Sequence, residues 1–328
     1  MLILNKKDLE ELLTMKEVIE ALEKGFREVK EGRSVVPVRF RLEIKEWEGE
    51  FLFMPAYLSG LKQGGTKMVS VFPKNPSIGK PTIYATYLLN DPSSGELLAL
   101  LEGATLTGLR TGGASGLATR YLAREDAKTL GVIGTGYQAF FQVRAIQAVR
   151  SIEEVWAYDI DPERLKEFCK KVSPFAKTHP ASNPSEVVRQ SDILITSTTS
   201  SHPVFSGRDL KPGTHLNAIG AFRPNMRETD DETILRSKII VDTFEGCLRE
   251  AGDLLIPMAE GKLRRESIYG DLGDLVTGKK RGRESREEIT LFKSVGFAME
   301  DVVVAHYAYE KAIREGRGQR IEMMEVKQ

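Results

Sequence analysis

The chain has 328 residues, of which 41% are hydrophobic and 29% are charged, and its formal net charge at pH 7 is zero. This length and composition predict about two globular domains, each with its own apolar core. The balanced charge argues against a nucleic-acid-binding protein or one that binds anionic membranes, since both use basic surfaces or tails.

The sequence contains no apolar run near the roughly 18 residues that span a bilayer. Its first residues lack the pattern of a secretory signal. We therefore expect a cytoplasmic protein without a membrane partner. Cys169 and Cys247 lie far apart and have no histidine at zinc-site spacing, so neither a disulfide nor a metal site is predicted.

The first 120 or so residues lack the alternation of strands and helices that is typical of a parallel sheet. Thr14 is predicted to cap a first helix over Met15–Gly32, in which apolar residues recur at helical spacing. Strand-like runs follow at Arg39–Ile44, Phe51–Met54, Gly65–Val71, Thr82–Asn90 and Leu97–Glu102. These elements predict a mixed or antiparallel sheet covered by one helix, and a helix near Thr107–Tyr121 then leads into the next domain.

From Thr129 onward, short apolar strands alternate with helices. The strand that begins at Thr129 runs into Gly134-Thr135-Gly136-Tyr137-Gln138-Ala139 and leaves as an amphipathic helix. Gly134 permits a tight turn, and Gly136 lets the backbone approach a pyrophosphate at the N-terminus of that helix. This context predicts a dinucleotide-binding site.

The next strand is predicted over Glu154–Tyr158, and Asp159 follows it about 20 residues after the glycines. A carboxylate at this position would accept hydrogen bonds from both hydroxyls of an adenosine ribose and would repel a 2′-phosphate. NAD(H) is therefore the expected cofactor, and NADP(H) stays open as a second one. The alternative is that Asp159 only begins a turn, before a helix that Asp161 caps and Pro162 begins.

Further parallel strands are predicted at Asp192–Ser197, Leu216–Ile219 and Ile239–Val241. A last long helix, about Gly296–Glu315, is expected to pack back on the first domain. The fold class is α/β: a Rossmann-type, doubly wound parallel-sheet domain over 121–300, plus an α+β domain formed by 1–120 and 301–328.

Three cations of the first domain, Arg39, Lys67 and Arg110, lie in short sequences with small or apolar neighbours. Small neighbours leave room for a ligand beside a charged side chain. The ordinary alternative for each is a solvated or salt-bridged cation, and local sequence does not decide between them.

Taken together, several blocks resemble the ornithine cyclodeaminase/mu-crystallin family, and they run in family order over nearly the full length. The blocks are Phe53–Ala56, Thr66–Val69, Leu109–Ala114, Gly134–Gln138, Leu216–Ala221, Gly282–Ser285 and Glu288–Gly296. The resemblance implies a substrate and dimerisation domain completed by the C-terminal helix, with a Rossmann domain between. It also implies a homodimer that uses a nicotinamide cofactor on small amino or imino acids.

The resemblance assigns roles to residues of this chain. Arg110 would hold the substrate carboxylate, and Lys67 would lie near the reacting carbon and nitrogen. Arg39 completes the basic pocket, and Ser294 is expected near the nicotinamide and the substrate. The residues expected to bind the cofactor are Thr111, Gly134, Thr135, Gly136, Tyr137, Gln138, Asp159, Ser197, Thr198, Ala218, Ile219 and Gly220.

Two differences from the family pattern distinguish between the activities that the family contains. Ornithine cyclodeaminases have carboxylates where this chain has Leu52 and Phe222. The resemblance therefore favours reduction of a cyclic ketimine acid, Δ1-pyrroline-2-carboxylate or Δ1-piperideine-2-carboxylate, to L-proline or L-pipecolate. Alanine dehydrogenase is the first alternative, ornithine cyclodeaminase the second, and a non-enzymatic, cofactor-dependent small-molecule binder the last.

Overall fold

The computed structural model describes residues 1–322 of the chain. The strands in this range are β1 (Leu2–Leu4), β2 (Ser34–Val35), β3 (Phe40–Ile44), β4 (Gly49–Leu58), β5 (Gln63–Val71), β6 (Ile83–Asn90), β7 (Leu97–Glu102), β8 (Thr129–Ile133), β9 (Glu154–Tyr158), β10 (Lys177–Pro180), β11 (Ile193–Thr196), β12 (His215–Ala218), β13 (Ser237–Val241), β14 (Ile268–Asp271), β15 (Ile289–Lys293) and β16 (Gln319–Arg320).

The helices in the same range are α1 (Lys6–Leu12), α2 (Met15–Lys30), α3 (Gly103–Leu122), α4 (Tyr137–Gln147), α5 (Pro162–Val172), α6 (Pro184–Gln190), α7 (Asp231–Arg236), α8 (Phe244–Glu250), α9 (Gly252–Ala259), α10 (Leu272–Val276) and α11 (Ala298–Glu315). None of them is both long and apolar enough to cross a membrane.

The chain divides into two compact units. Unit 1 comprises Met1–Arg110 together with the chain from Ala298 onward, and unit 2 comprises Thr111–Phe297. The first division therefore falls inside α3, about ten residues before the boundary at 120 expected from the sequence. Of the predicted C-terminal segment 301–328, residues 323–328 lie outside the described part of the chain.

Unit 1 contains a mixed sheet in the order β16-β1-β7-β6-β5-β4-β2, and β3 also pairs with β4. The β1–β7 pair is parallel and the other pairs are antiparallel. Helices α2 and α11 pack together closely, since a Cβ at Gly25 would lie 2.3 Å from the sulfur of Met299. Alternate residues of β4 are buried, and these side chains point to the face that α11 covers.

Unit 2 contains a fully parallel sheet in the order β10-β9-β8-β11-β12-β15-β13-β14. The strand order reverses between β8 and β11, where doubly wound sheets bind dinucleotides. Strands β8, β11, β12 and β15 are almost entirely buried, as expected for a sheet covered on both faces. The predicted Rossmann-type α/β class is confirmed.

Several element predictions need correction. The helix that Thr14 caps is the second one, because β1 and α1 precede it. Strand β4 continues through Pro55 to Leu58, although the prediction ended the strand before that proline. Strands β10 and β14 escaped prediction because each is short and lies at a sheet edge, where continuous apolar sequence is not required.

Candidate active site

Lys67 lies in the middle of β5 and points to the buried face of the unit 1 sheet. It stands beside Met54 on β4 and Tyr87 on β6, and all three side chains are buried. The small neighbour Gly65 makes room for the Tyr87 side chain, since a Cβ there would lie 2.5 Å from its hydroxyl. A lysine in this position requires polar partners, because an unpaired buried ammonium is strongly disfavoured.

Two carboxylates at the start of α11 supply those partners. The ammonium of Lys67 donates hydrogen bonds to Asp301 Oδ1 at 2.8 Å and to the Thr107 hydroxyl at 3.1 Å. Arg110 donates from Nε to the same Asp301 oxygen at 3.1 Å and from Nη1 to Glu300 Oε2 at 2.8 Å. Asp301 therefore joins both predicted substrate cations through one oxygen.

The charges around Lys67 change its acidity. Burial is the largest cause, and together with the positive charges of Arg110 and Arg39 it lowers the pKa of Lys67 to about 8, against the opposing effect of Asp301. Arg39 is half-buried just before β3, and its positive charge contributes to the lowered pKa of Lys67. The structure thus joins Lys67 and Arg110 through Asp301.

Sequence reasoning missed Asp301 and Glu300. A signal for Asp301 was available: it lies on the same helical stripe as Ala305, Ala308 and Ala312, all of which are buried. An acid on an otherwise apolar stripe needs a cationic partner. That the partners are Lys67 and Arg110 does not follow from sequence spacing, because they lie about 190 or more residues away.

The glycine loop of unit 2 has the geometry of a dinucleotide turn. Gly134 follows β8 with φ +88°, in the left-handed region that favours glycine. A Cβ added at Gly136 would meet nothing within 4 Å. Gly136 is also the N-cap residue of α4, and as a glycine it has no side chain that could accept from the first N–H groups of the helix.

Asp159 lies beside this loop at the end of β9. Its Oδ2 accepts hydrogen bonds from the Thr135 N–H at 2.7 Å and the Thr135 hydroxyl at 2.9 Å, and its Oδ1 accepts from the Asp161 N–H. The guanidinium of Arg164 lies 3.7 Å from Oδ1. Asp159 therefore makes the contacts of a turn residue, and its role at the ribose stays a prediction. Asp161 caps α5 as predicted.

The loops after β11 and β12 are tied together by a buried acid. Glu228 accepts hydrogen bonds from the Thr198 N–H at 2.6 Å and from the Gly220 N–H at 2.7 Å. Ser197 donates its hydroxyl to the Gly134 carbonyl at 2.7 Å. Three segments predicted to line the cofactor cleft thus lie at one edge of the sheet and are linked by hydrogen bonds.

Glu228 belongs to a buried charge cluster. Asp253 accepts from the Glu228 N–H at 2.7 Å and from Lys293 Nζ at 2.8 Å, and all three side chains are fully buried. Burial raises the pKa of Glu228 despite the nearby lysine. Burial opposes ionisation of Asp253 too, but the charge and hydrogen bond of Lys293, with the hydrogen bonds from the Thr229 and Glu228 N–H groups, lower its pKa.

Ser294, directly after β15, is held by Asp242 at the end of β13. Asp242 Oδ2 accepts from the Ser294 hydroxyl at 2.9 Å and from the N–H groups of Val295 and Gly296 at 2.8 and 2.9 Å. Because the carboxylate can only accept, the Ser294 proton is committed to it. The serine oxygen already accepts from the Gly296 N–H at 3.2 Å, and toward a further partner it can act only as an acceptor.

The remaining predicted residues also belong to unit 2, and their roles stay predictions. Ala218 and Ile219 are buried at the end of β12. Tyr137 is half exposed in the first turn of α4, and the buried Oε1 of Gln138 accepts no hydrogen bond from the described residues. Thr111 is buried in α3.

The two departures from the family pattern are also visible. Leu52 is buried among the inward-facing residues of β4. Phe222 packs against the apolar core of unit 2 that includes Ile133 and Leu216. Neither position offers a group that could exchange a proton.

The sequence model of the ornithine cyclodeaminase/mu-crystallin family matches residues 1–316. A Δ1-pyrroline-2-carboxylate reductase of Bacillus cereus is 43% identical over 98% of this chain and 100% of that protein. The solved structure of the Thermococcus litoralis Δ1-pyrroline-2-carboxylate reductase in complex with NADH and L-proline has 44% identity and a TM-score of 0.95, covering 98% of this chain and 100% of that one. An archaeal alanine dehydrogenase dimer with bound NAD has 37% identity and a TM-score of 0.91, covering 98% and 99% of the two chains.

Proposed function

The chain belongs to the ornithine cyclodeaminase/mu-crystallin family, and from that membership we propose that it is an NAD(H)-dependent reductase of cyclic ketimine acids. The substrate is Δ1-pyrroline-2-carboxylate or Δ1-piperideine-2-carboxylate, and the product is L-proline or L-pipecolate. One observation carries the proposal: Lys67 and Arg110 are buried together in a chain 44% identical to a reductase solved with NADH and L-proline.

Arg110 is the proposed anchor of the substrate carboxylate. A planar guanidinium can donate two parallel hydrogen bonds to a carboxylate. Its ion pairs with Glu300 and Asp301 already fix its orientation, so little side-chain entropy is lost when the substrate binds. Lys67 adds a second positive charge, and Arg39 a third at longer range.

Positioning is the main catalytic contribution that these residues make. Once its nitrogen is protonated, the C=N carbon of the imine is electrophilic and needs little further activation. A carboxylate held by two fixed cations restricts how the ring can lie, which lowers the entropic barrier to reaction. The absence of acids at Leu52 and Phe222 suits a compact ring better than a diamine, whose second ammonium would need a partner.

The carboxyl edge of the unit 2 sheet fits a dinucleotide. The open space at Gly136 and a helix that begins at this glycine suit a pyrophosphate, which accepts hydrogen bonds from backbone N–H groups at a helix N-terminus. Asp159 would accept from the ribose hydroxyls, and its charge favours NAD(H) over a cofactor with a 2′-phosphate. When bound, the reduced nicotinamide supplies the hydride that the C=N carbon accepts.

Ser294 is proposed to contact the nicotinamide carboxamide or the substrate as an acceptor. Its proton is donated to Asp242, so its oxygen suits an N–H group. Asp242 thereby acts as a positioning residue for the turn after β15.

A homodimer is the proposed assembly. The sheet face of unit 1 that points away from the helices exposes large apolar side chains, among them Phe40, Leu42, Met68, Tyr84 and Leu88. A continuous apolar patch of this kind is typical of a subunit interface. The alanine dehydrogenase relative is a dimer. The double variant Met68→Glu/Tyr84→Glu should be monomeric in light scattering, and an unchanged mass would contradict this assignment of the interface.

Alanine dehydrogenase is the second candidate, favoured by the solved archaeal relative at TM-score 0.91. In that reaction NAD+ oxidises an amino acid to an iminium, which water hydrolyses. The same cations would hold the carboxylate of pyruvate.

The deciding experiment follows NADH oxidation by the purified protein with each cyclic imine and, separately, with pyruvate plus ammonia. Rapid turnover of a cyclic imine without ammonia supports the proposal and ranks the two ring sizes. Turnover only with pyruvate and ammonia identifies an alanine dehydrogenase. If all three fail, release of ammonia from L-ornithine tests for a cyclodeaminase, and failure there leaves a binding role.

A further inference from the structure

Asp301 has one oxygen that the charge cluster of unit 1 leaves unused. Its Oδ1 accepts from both Lys67 and Arg110. Its Oδ2 is buried and accepts no hydrogen bond from the residues that the structure describes. The nearby Tyr87 hydroxyl is buried too and has no partner in the same part of the chain. An acceptor in this state is costly, because its desolvation is not repaid by a donor.

We propose that Asp301 binds the N–H of the protonated cyclic imine through Oδ2, so that the substrate is held as a zwitterion by both of its charged groups. The inference rests on the proposed function and adds the group that recognises the ring nitrogen. Lys67 and Arg110 bind the carboxylate, which is attached to the C=N carbon. The carboxylate and the N–H are thus only two bonds apart on the substrate, and their binding groups are joined through Asp301.

Asp301 neither gains nor loses a proton in the reaction. The substrate is an iminium cation, C=N–H with a positive charge on nitrogen. A hydride bonds to the carbon, the π electron pair becomes the lone pair of nitrogen, and the nitrogen keeps its proton. The cofactor is oxidised and the ring is reduced. The product is a neutral secondary amine, which then takes a proton from water.

This role explains how the chain manages without carboxylates at Leu52 and Phe222. An acid is needed beside a cationic substrate, and Asp301 on α11 provides one. Because Asp301 stabilises the cation that binds, its removal is expected to appear mainly in the affinity for ligands with a ring N–H.

A matched pair of planar ligands tests the contact. Pyrrole-2-carboxylate and 2-furoate have the same ring size and carboxylate, but the first presents an N–H donor and the second an oxygen acceptor. In the wild-type holoenzyme, we expect pyrrole-2-carboxylate to bind about 10- to 100-fold more tightly, as for a hydrogen bond to a charged group. N-Methylpyrrole-2-carboxylate, which lacks the donor, should lose this advantage.

Asp301→Asn should reduce the preference to near unity, because an amide can present either a donor or an acceptor. Glu300→Gln is the matched control: it removes the negative charge paired with Arg110, which acts on the shared carboxylate of both ligands, and should leave the ratio of their affinities unchanged. Equal wild-type affinities for the two ligands, or a ratio that survives in Asp301→Asn, would overturn the inference. The wild-type comparison needs no variant and stands even if Asp301→Asn does not fold.

The two experiments distinguish failure of the proposed reductase function from failure of the Asp301 contact. A protein that reduces cyclic imines but does not distinguish the two ligands keeps its function and loses the Asp301 contact. A protein that reduces no cyclic imine loses the proposed function, whatever its ligand preference.

Discussion

Replacing Lys293 by methionine is expected to destabilise unit 2 strongly. Lys293 and Asp253 are fully buried, and the ammonium lies 2.8 Å from the carboxylate. Glu228 adds a second buried acid whose backbone is bound to Asp253. The lysine thus stabilises two carboxylates, and methionine has a similar volume but no charge.

The size of the effect follows from this burial. Removing one partner of a buried ion pair costs about 3–5 kcal/mol, because it leaves an uncompensated charge. For a cooperative unit of this size, each kcal/mol lowers the melting temperature by roughly 2–4 °C. The expected decrease is therefore about 6–20 °C at pH 8.

The pH dependence adds a second signature. Without Lys293, burial raises the pKa of both Asp253 and Glu228 above their unfolded values. The folded variant then takes up protons as the pH falls, while the unfolded chain has not yet done so. The loss of stability of Lys293→Met relative to wild type should therefore be smaller at pH 5.5 than at pH 8.

Differential scanning calorimetry at both pH values measures this. Lys128→Met is the control, because Lys128 forms an ion pair with Glu153 in which both side chains are about 60% exposed. Exposed pairs contribute little, so the control should melt close to wild type. The assigned role of the buried cluster is wrong if Lys293→Met melts at the same temperature as Lys128→Met. It is also wrong if the difference in melting temperature between Lys293→Met and wild type does not become smaller at pH 5.5.

Three further predictions concern the proposed reaction. Arg110→Ala should lower kcat/KM for the imine about 100-fold or more but leave NADH binding, measured by fluorescence titration, nearly intact; equal loss of both would contradict a carboxylate anchor. Asp159→Ser should narrow the kcat/KM gap between NADH and NADPH by about tenfold, whereas the control Asp161→Ser removes a neighbouring carboxylate but keeps a side chain that can cap α5; an unchanged ratio in Asp159→Ser would leave Asp159 as a turn residue. Lys67, with a pKa lowered by burial and by Arg110 to about 8, binds a carboxylate only when protonated, so pyrrole-2-carboxylate should bind more weakly above pH 8. In Lys67→Arg, the affinity for pyrrole-2-carboxylate should fall only at a higher pH. If it still falls near pH 8, a group other than Lys67 is responsible.

Local signals predicted much of the fold. Thr14 and Asp161 each cap a helix where the sequence places one, because a cap depends on residues only two or three positions away. Strand β9 has the predicted bounds, since it is apolar and lies between clear turns. Edge strand β10, Lys177–Pro180, carries no such signal: its pairing with β9 stabilises it, and pairing is not a local property.

The candidate site also contains some features that local sequence predicts and others that depend on tertiary packing. The glycine loop and Asp159 belong to one strand–helix–strand segment, so their spacing alone predicts that they meet. Lys67 and Arg110 were identified by resemblance, and their shared partner Asp301 lies 234 residues from Lys67. Only packing of α11 against β5 brings that pair together, and no periodicity in the sequence specifies which helix covers which strand.

The charge balance of the unit 1 cluster is an independent argument about substrate choice. Lys67 and Arg110 carry two positive charges, and Asp301 and Glu300 carry two negative ones, so these four ion-paired groups have no net charge when Lys67 is protonated. A diamine such as ornithine is itself a net cation, and binding it would leave a net positive charge in a buried site. An imine zwitterion has no net charge and still satisfies both the cations and the unused oxygen of Asp301. The same counting disfavours a cyclodeaminase for a physical reason separate from the missing carboxylates at Leu52 and Phe222.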